Sequence, residues 1–232
     1  MISIVLATYN EKEHIESLIN DLFKHSPVEM EIIVVDDNSP DGTGDIVRNL
    51  NNPNVKLIQR TRTRGLASAF NRGIIETSGQ YIGWMDADMC MPADMIPKMY
   101  KKIVDEGFDA VIGSRYAQGG YDDRSFIRTA SSRIINKFAN IVLGYGIKDY
   151  DSGFILIKRN VLDAVSIIPV GYGEYFIELV YGMCKAGLKV AEIGYHFRDR
   201  AEGQSKSFPN IFAFVKTGFN YVIRVIKAKL RN

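Results

Sequence analysis

Long uninterrupted apolar runs are missing from this chain of 232 residues. The best candidate, Ile211–Ile226, is broken by Lys216, Asn220 and Arg224. No segment reaches the roughly eighteen apolar residues that a bilayer span needs. Cysteine is scarce. Cys90 and Cys184 are the only two, which excludes a disulfide framework and fits a reducing compartment. Histidine is scarce too, and His14, His25 and His196 show no pairing that suggests catalysis. No basic-apolar leader is expected, because strand residues begin at Ile2. Internal repeats and low-complexity tracts are absent. The net charge is only +2, and no nucleic-acid partner is expected.

What is present is an ordinary globular composition, 46% apolar and 24% charged, enough for one domain with a large core. The first half alternates strand and helix patterns. Strands are predicted near 2–7, 31–35, 55–59 and 81–85, with helices over 11–25, 42–50 and 65–77 between them. Asn10 is placed to cap the first helix, with Glu13 three residues on. Ile15, Leu18, Ile19, Leu22 and Phe23 mark its buried face. This order predicts an α/β fold, a mostly parallel sheet with helices on both faces.

The segment Tyr81–Pro92, YIGWMDADMCMP, carries the chemistry. Its strand ends in Asp86-Ala87-Asp88. Alternation puts Asp86 and Asp88 on one face. Two carboxylates at the carboxyl edge of a sheet suit a hard divalent cation, Mg²⁺ or Mn²⁺, that keeps waters and shares its shell with phosphates. A second strand, Ile32–Val35, stops at Asp36-Asp37 and enters a turn with Pro40 and Gly42. A third element, Arg62–Gly73, is a basic turn that opens a helix.

ATYNE, VVDDNSPDGT, RGLASAFNRG, DADM and GSRY resemble the family 2 glycosyltransferases of GT-A (Rossmann-like) fold. DYDSGF (Asp149–Phe154) and FRDRAEGQSK (Phe197–Lys206) narrow the resemblance to the dolichyl-phosphate mannose synthase, or polyprenyl-phosphate glycosyltransferase, branch. It runs from about Ile2 to Lys206. It implies an inverting transfer of a sugar, mannose from GDP-mannose first, from a nucleotide sugar to a polyprenyl phosphate. Ala7, Tyr9, Glu11, Asp37, Asp86 and Ala87 would then contact the nucleotide sugar, and Asp86 and Asp88 the metal. Asp88, Arg115, Arg128, Arg200 and Lys206 would act in catalysis, with Arg200 and Lys206 on a loop that closes over the phosphates. Two positions depart from the family pattern. Cys90 stands where a polar residue usually completes the metal shell, and a thiol is a poor partner for Mg²⁺ or Mn²⁺. Asp151 stands where a small polar residue is usual, and either recognises sugar hydroxyls or faces solvent. Glu178 is either a helix acid facing the site or an exposed charge. Arg124, Arg133 and Arg198 are read as surface or helix-pair residues.

A phosphomonoester is already mostly dianionic at pH 7, so it needs cations more than a general base. A hydroxyl acceptor needs a carboxylate to take its proton. The clustered cations favour the phosphate. The alternatives are a family 2 enzyme acting on a glycan hydroxyl, or a non-catalytic sugar-nucleotide-binding protein.

The expected division is a catalytic domain over 1–208 and an amphipathic helix over 209–232. That tail lacks acidic residues, and Lys216, Asn220, Arg224, Lys227 and Arg231 share one helical stripe. The expectation is a peripheral helix at the cytoplasmic membrane face, its basic residues toward anionic headgroups. Packing on the domain is the competing expectation. A small membrane-embedded subunit is a possible further partner.

Overall fold

The computed structural model describes residues 1–171, 173–199 and 211–231, with 211–217 described by backbone alone. Its elements run β1 (Ile2–Thr8), α1 (Ile15–His25), β2 (Met30–Asp36), α2 (Thr43–Asn49), β3 (Val55–Gln59), α3 (Leu66–Ile75), β4 (Tyr81–Asp86), α4 (Met95–Asp105) and β5 (Ala110–Ser114). There follow β6 (Tyr121–Asp122), α5 (Phe126–Leu143), β7 (Ile155–Lys158), α6 (Val161–Ala164), α7 (Tyr175–Lys185), β8 (Val190–Gly194), β9 (His196–Phe197) and α8 (Ile211–Leu230).

Seven strands form one sheet in the order β3-β2-β1-β4-β7-β5-β8. All neighbours are parallel except β7, which runs against both β4 and β5. β6 and β9 form a separate two-stranded ribbon. Helices cover both faces, so the central strands are buried on each side. That is why β1, β2 and β4 read as near-continuous apolar runs rather than alternating ones. One face packs Phe70, Trp84, Ala139, Tyr175, Phe176 and Val225. The other packs α1 through Ile15, Leu18, Ile19 and Leu22, and α4 through Met95, Ile96, Met99 and Ile103. Each such large apolar side chain contributes roughly 1.5–3 kcal/mol on burial. Gly73 lets α3 lie close on the sheet, since a Cβ there would sit 2.3 Å from Val5 Cγ1.

Two local expectations change, and one strand runs against the rest of the sheet. The first helix begins at Ile15, not near residue 11, and Asn10 does not cap it. Asn10 instead takes a left-handed φ of 60°, and the Glu11 N–H donates to Thr43 Oγ1 at 2.9 Å. The chain is thereby tied to the start of α2 before it turns helical. β7 is antiparallel because the segment before it starts at the carboxyl edge of the sheet, where Asp149 meets Arg115 just beyond β5. The only direction left for the chain is back through the sheet.

The second change concerns α8. Its basic stripe does not face outward as one strip. Arg224 and Arg231 turn inward to Glu178 on α7, at 2.9 and 3.3 Å. Val225 and Ala228 are buried against the domain, and α8 packs on both α5 and α7. Phe219, Ile226 and Leu230 face outward instead. Among the described residues no helix is long and apolar enough to cross a membrane.

Candidate active site

The strand order creates a switch point. From β1 the chain steps one way to β2 and β3, then returns to place β4 on the other side of β1. Crevices open at the carboxyl ends of strands where the order reverses in this way. Ala7 of β1 pairs in register with Asp86 of β4, and Thr8 pairs with Asp36 of β2. The sequence-predicted Ala7, Asp36, Asp37, Asp86, Ala87 and Asp88 therefore share one edge.

Asp36 and Asp37 do different work. Asp36 is fully buried and accepts hydrogen bonds from Thr8 Oγ1 and the Ser39 N–H, each at 2.9 Å. Asp37 accepts from Arg60 Nε at 2.6 Å and from the Gly65 N–H at 2.9 Å. This carboxylate thus holds the basic turn against the end of β2. Sequence reading missed Arg60, whose partner lies 23 positions back. Above this edge, the Arg64 guanidinium stacks 4.6 Å from the Tyr9 ring centroid and donates to its hydroxyl at 3.1 Å. An aromatic ring capped by a cation is a flat platform beside the crevice.

Asp86 and Asp88 are both half-buried. The Cys90 N–H donates to Asp88 Oδ1 at 3.1 Å. Met89 between them adopts a left-handed φ of 62°, an unfavourable conformation for a side-chain-bearing residue and one that recurs at functional turns. No group of three or more His, Cys, Asp or Glu side chains that would hold a metal occurs among the described residues. The Asp86/Asp88 pair therefore fits a hard cation that takes its remaining ligands from water and phosphate, and does not fit a closed protein cage. Asp86 and Asp88 would hold such an ion, which would stabilise negative charge on a departing diphosphate. Cys90 is buried with its Sγ near the Asp88 carbonyl oxygen, at 3.8 Å.

Arg115 lies deeper than an exposed phosphate clamp would. Its Nε and Nη2 donate to the two Asp149 oxygens at 2.9 and 2.6 Å, and Nη2 also donates to the Asp151 carbonyl at 2.9 Å. Burial works against its charge, yet Asp149 more than offsets that and keeps the guanidinium protonated. Asp151 does not face solvent. It sits 3.6 Å from Arg115 and in hydrogen-bond contact with Tyr221 of α8, and burial pushes its carboxyl above the ordinary range against the pull of Arg115. Gly153, just beyond, takes a φ of 72° that a side chain would oppose. Glu178 neither faces the crevice nor lies exposed; it anchors α8.

Arg128 is half-buried in the first turn of α5. Arg124 is not a surface residue. It pairs with Asp122, whose side chain is fully buried, at 2.7 Å. The Arg198 N–H donates to the Cys90 carbonyl at 3.2 Å, tying the segment after β9 to the carboxylate turn. Arg200 and Lys206 lie outside the described residues. Tyr195 is a further residue that sequence reading missed. It is buried, its hydroxyl has no hydrogen-bond partner among the described residues, and burial raises its phenol far above the usual value, with Arg115, Asp149 and Asp86 near enough to act on it. Only its position after β8 hinted at this.

The family model described as glycosyl transferase family 2 matches residues 3–166. A dolichol-phosphate mannosyltransferase from Pyrococcus furiosus is 37% identical over 210 residues, covering 88% of this chain and 58% of that protein. The chain thus spans little more than half the length of that relative. A polyprenol monophosphomannose synthase from Mycolicibacterium smegmatis is 30% identical, covering 88% of this chain and 79% of that protein. Among solved structures, glucosyl-3-phosphoglycerate synthase from Mycobacterium tuberculosis, in complex with Mn²⁺, UDP and glucosyl-3-phosphoglycerate, superposes with a TM-score of 0.75 at 19% identity, covering 98% of this chain and 79% of that one. That likeness speaks for the fold. With a family match over most of its length and a paired-carboxylate crevice at the switch point of a GT-A sheet, the chain belongs to the family 2 glycosyltransferases.

Proposed function

We propose that this chain transfers a sugar from a nucleotide sugar to a phosphate-bearing acceptor, with inversion at the sugar carbon. The observation that carries the reading is the Asp86/Asp88 pair beside Ala7 at the sheet switch point. In this reading a divalent cation on that pair and the Arg64–Tyr9 platform hold the donor. Ala7, Glu11, Asp37 and Ala87 frame its nucleotide, and Arg128, Arg200 and Lys206 meet the phosphates. Arg115 orders the acceptor side by holding the DYDSG turn.

Two acceptors compete. The names of the curated relatives support a polyprenyl phosphate, with mannose from GDP-mannose as donor sugar. The outward faces of α5 and α8 support it too: Ile127, Ile134 and Ile141 on one and Phe219, Ile226 and Leu230 on the other are exposed, and neither helix carries an acidic residue. That surface suits docking at the cytoplasmic face of a membrane with anionic headgroups, where a small membrane-embedded subunit would have its place. The second reading is a hydroxyl acceptor. The structural neighbours are complexes with phosphoglyceric acid and UDP-glucose, and Asp151, with its carboxyl raised by burial, has the character of a general base.

One assay separates these readings. The protein is incubated with Mn²⁺, a panel of radiolabelled GDP- and UDP-sugars, and either a polyprenyl phosphate or phosphoglycerate. Label extracted into organic solvent supports the lipid acceptor, and label in a water-soluble product supports the hydroxyl acceptor. Binding of a sugar nucleotide without turnover on any acceptor would instead mark a non-catalytic binding protein.

A further inference from the structure

The last helix of the chain reaches the turn that Arg115 holds. Tyr221, Val225 and Ala228 stand at i, i+4 and i+7, on one face of α8. Val225 and Ala228 are buried, and the Tyr221 ring packs at the edge of the same core. Arg224 fixes the helix to Glu178. Those contacts account for the packing of α8 without the Tyr221 hydroxyl. That hydroxyl donates to the Asp151 carboxylate instead. Gly173, just before α7, leaves room for the approach. A Cβ there would lie 2.0 Å from the Tyr221 hydroxyl oxygen and 3.0 Å from Asp151 Oδ1.

Asp151 is held from two sides. Its backbone carbonyl accepts from Arg115 Nη2 at 2.9 Å, and its Oδ2 lies 3.6 Å from the same nitrogen. Tyr221 holds its side chain from α8. Arg115 is committed in turn to both Asp149 oxygens, and its own N–H donates to Asp149 Oδ2 at 2.9 Å. A shift of the Asp151 side chain therefore pulls on the carbonyl that Arg115 grips. Asp151 is also a position where the chain departs from the family pattern, so the link belongs to this chain and not to the shared donor machinery.

We propose that Tyr221 is a positioning residue for sugar transfer: through Asp151 it sets the DYDSG turn on the acceptor side, which makes α8 a component of the active site. This role rests on the sugar-transfer reading proposed above. Asp151 serves in it as a strut and takes no proton from the acceptor. The donor carboxylates Asp86 and Asp88 are not part of the link.

The test uses the full chain with Mn²⁺ and the donor and acceptor that give labelled product in the assay above. Tyr221→Phe removes only the hydroxyl, so the ring packing and the fold should persist. We expect it to raise the acceptor KM about three- to tenfold, the worth of one hydrogen bond, with the sugar-nucleotide KM and the thermal midpoint unchanged. Amide exchange at Arg115 and Phe154 should rise, with β1 and β4 unaffected. In an Asp151→Ala background the Tyr221→Phe change should add nothing. Asp151→Asn still accepts from the hydroxyl and should recover most of the transfer that Asp151→Ala loses. A parent-like acceptor KM in Tyr221→Phe, or an undiminished effect of that change in the Asp151→Ala background, would overturn the link and leave the transfer reading intact. Inactivity of Asp151→Asn would overturn the strut role and make Asp151 a general base. A parent chain that transfers sugar to no acceptor would overturn both readings.

Discussion

Arg115 and Asp149 form an ion pair of 2.6 Å in which neither side chain is more than 3% exposed. The pair closes a span of 34 residues. Its value lies in completeness, since a half-removed buried pair leaves a bare charge in a poor solvent. Asp149→Ala should therefore destabilise the protein by about 3–5 kcal/mol, read from urea unfolding. A loss within experimental error of zero would mean that water reaches Arg115 and that the pair is not a structural clamp.

Removing the Asp88 carboxylate should act on chemistry and not on folding. The side chain is only half-buried at the crevice edge, and without a cation it gains little from its neighbour Asp86. Asp88→Ala should lower sugar transfer by roughly a thousandfold or more while leaving the thermal midpoint within a few degrees. Excess chelator should do the same to the unaltered chain. Retained transfer in either experiment would remove this pair from the mechanism.

Acid should loosen the β6–β9 ribbon before the main sheet. Burial tends to raise the Asp122 carboxyl, but hydrogen bonds and charge from Arg124 outweigh it and hold the group at about 2. A carboxylate depressed in the folded state adds stability above its unfolded value near 4, and that contribution disappears as pH falls toward 2. The expected loss is about 1–2 kcal/mol after allowance for solvent screening. Asp122→Asn should flatten that part of the pH–stability curve, and an unchanged slope between pH 4 and 2 would contradict it.

Glu178 governs the docking of α8. Arg224 and Arg231 both reach it from a helix otherwise held by Val225, Ala228 and Tyr221. Glu178→Ala should cost about 1–3 kcal/mol and raise amide hydrogen exchange across residues 218–231 without changing exchange in β1 or β4. Uniform exchange in variant and parent would show that the apolar contacts alone hold the helix.

The sheet and its carboxylates were legible because strands covered on both sides must be apolar throughout and stop where polar chemistry begins. The edges at Asp36 and Asp86 announce themselves for that reason. What lay between distant positions was not legible. The helix cap at Asn10 failed because Thr43 claims the Glu11 N–H from 32 residues away. Arg124 looked like a surface charge because β6 and β9 are two residues each and carry no periodicity. The basic stripe on α8 was real as a pattern, but its direction depended on Glu178, 46 residues earlier. Asp151 stayed open between a sugar contact and solvent for the same reason, as Tyr221 arrives from the far end of the chain.

The reversal at β7 divides the molecule into a part that must stay constant and a part free to vary. Everything from Tyr116 to Lys148 is an excursion that leaves the sheet after β5 and is pinned at its root by Arg115 and Asp149. Closing a longer loop between fixed ends costs little, about 0.6 kcal/mol per doubling of length. The exposed turns on either side of α5 can therefore be lengthened or shortened, with Ala139 and Leu143 kept in the core, while the crevice on β1, β2 and β4 keeps its shape. A lineage with this architecture can change the molecule that receives the sugar without relearning how to hold the one that gives it.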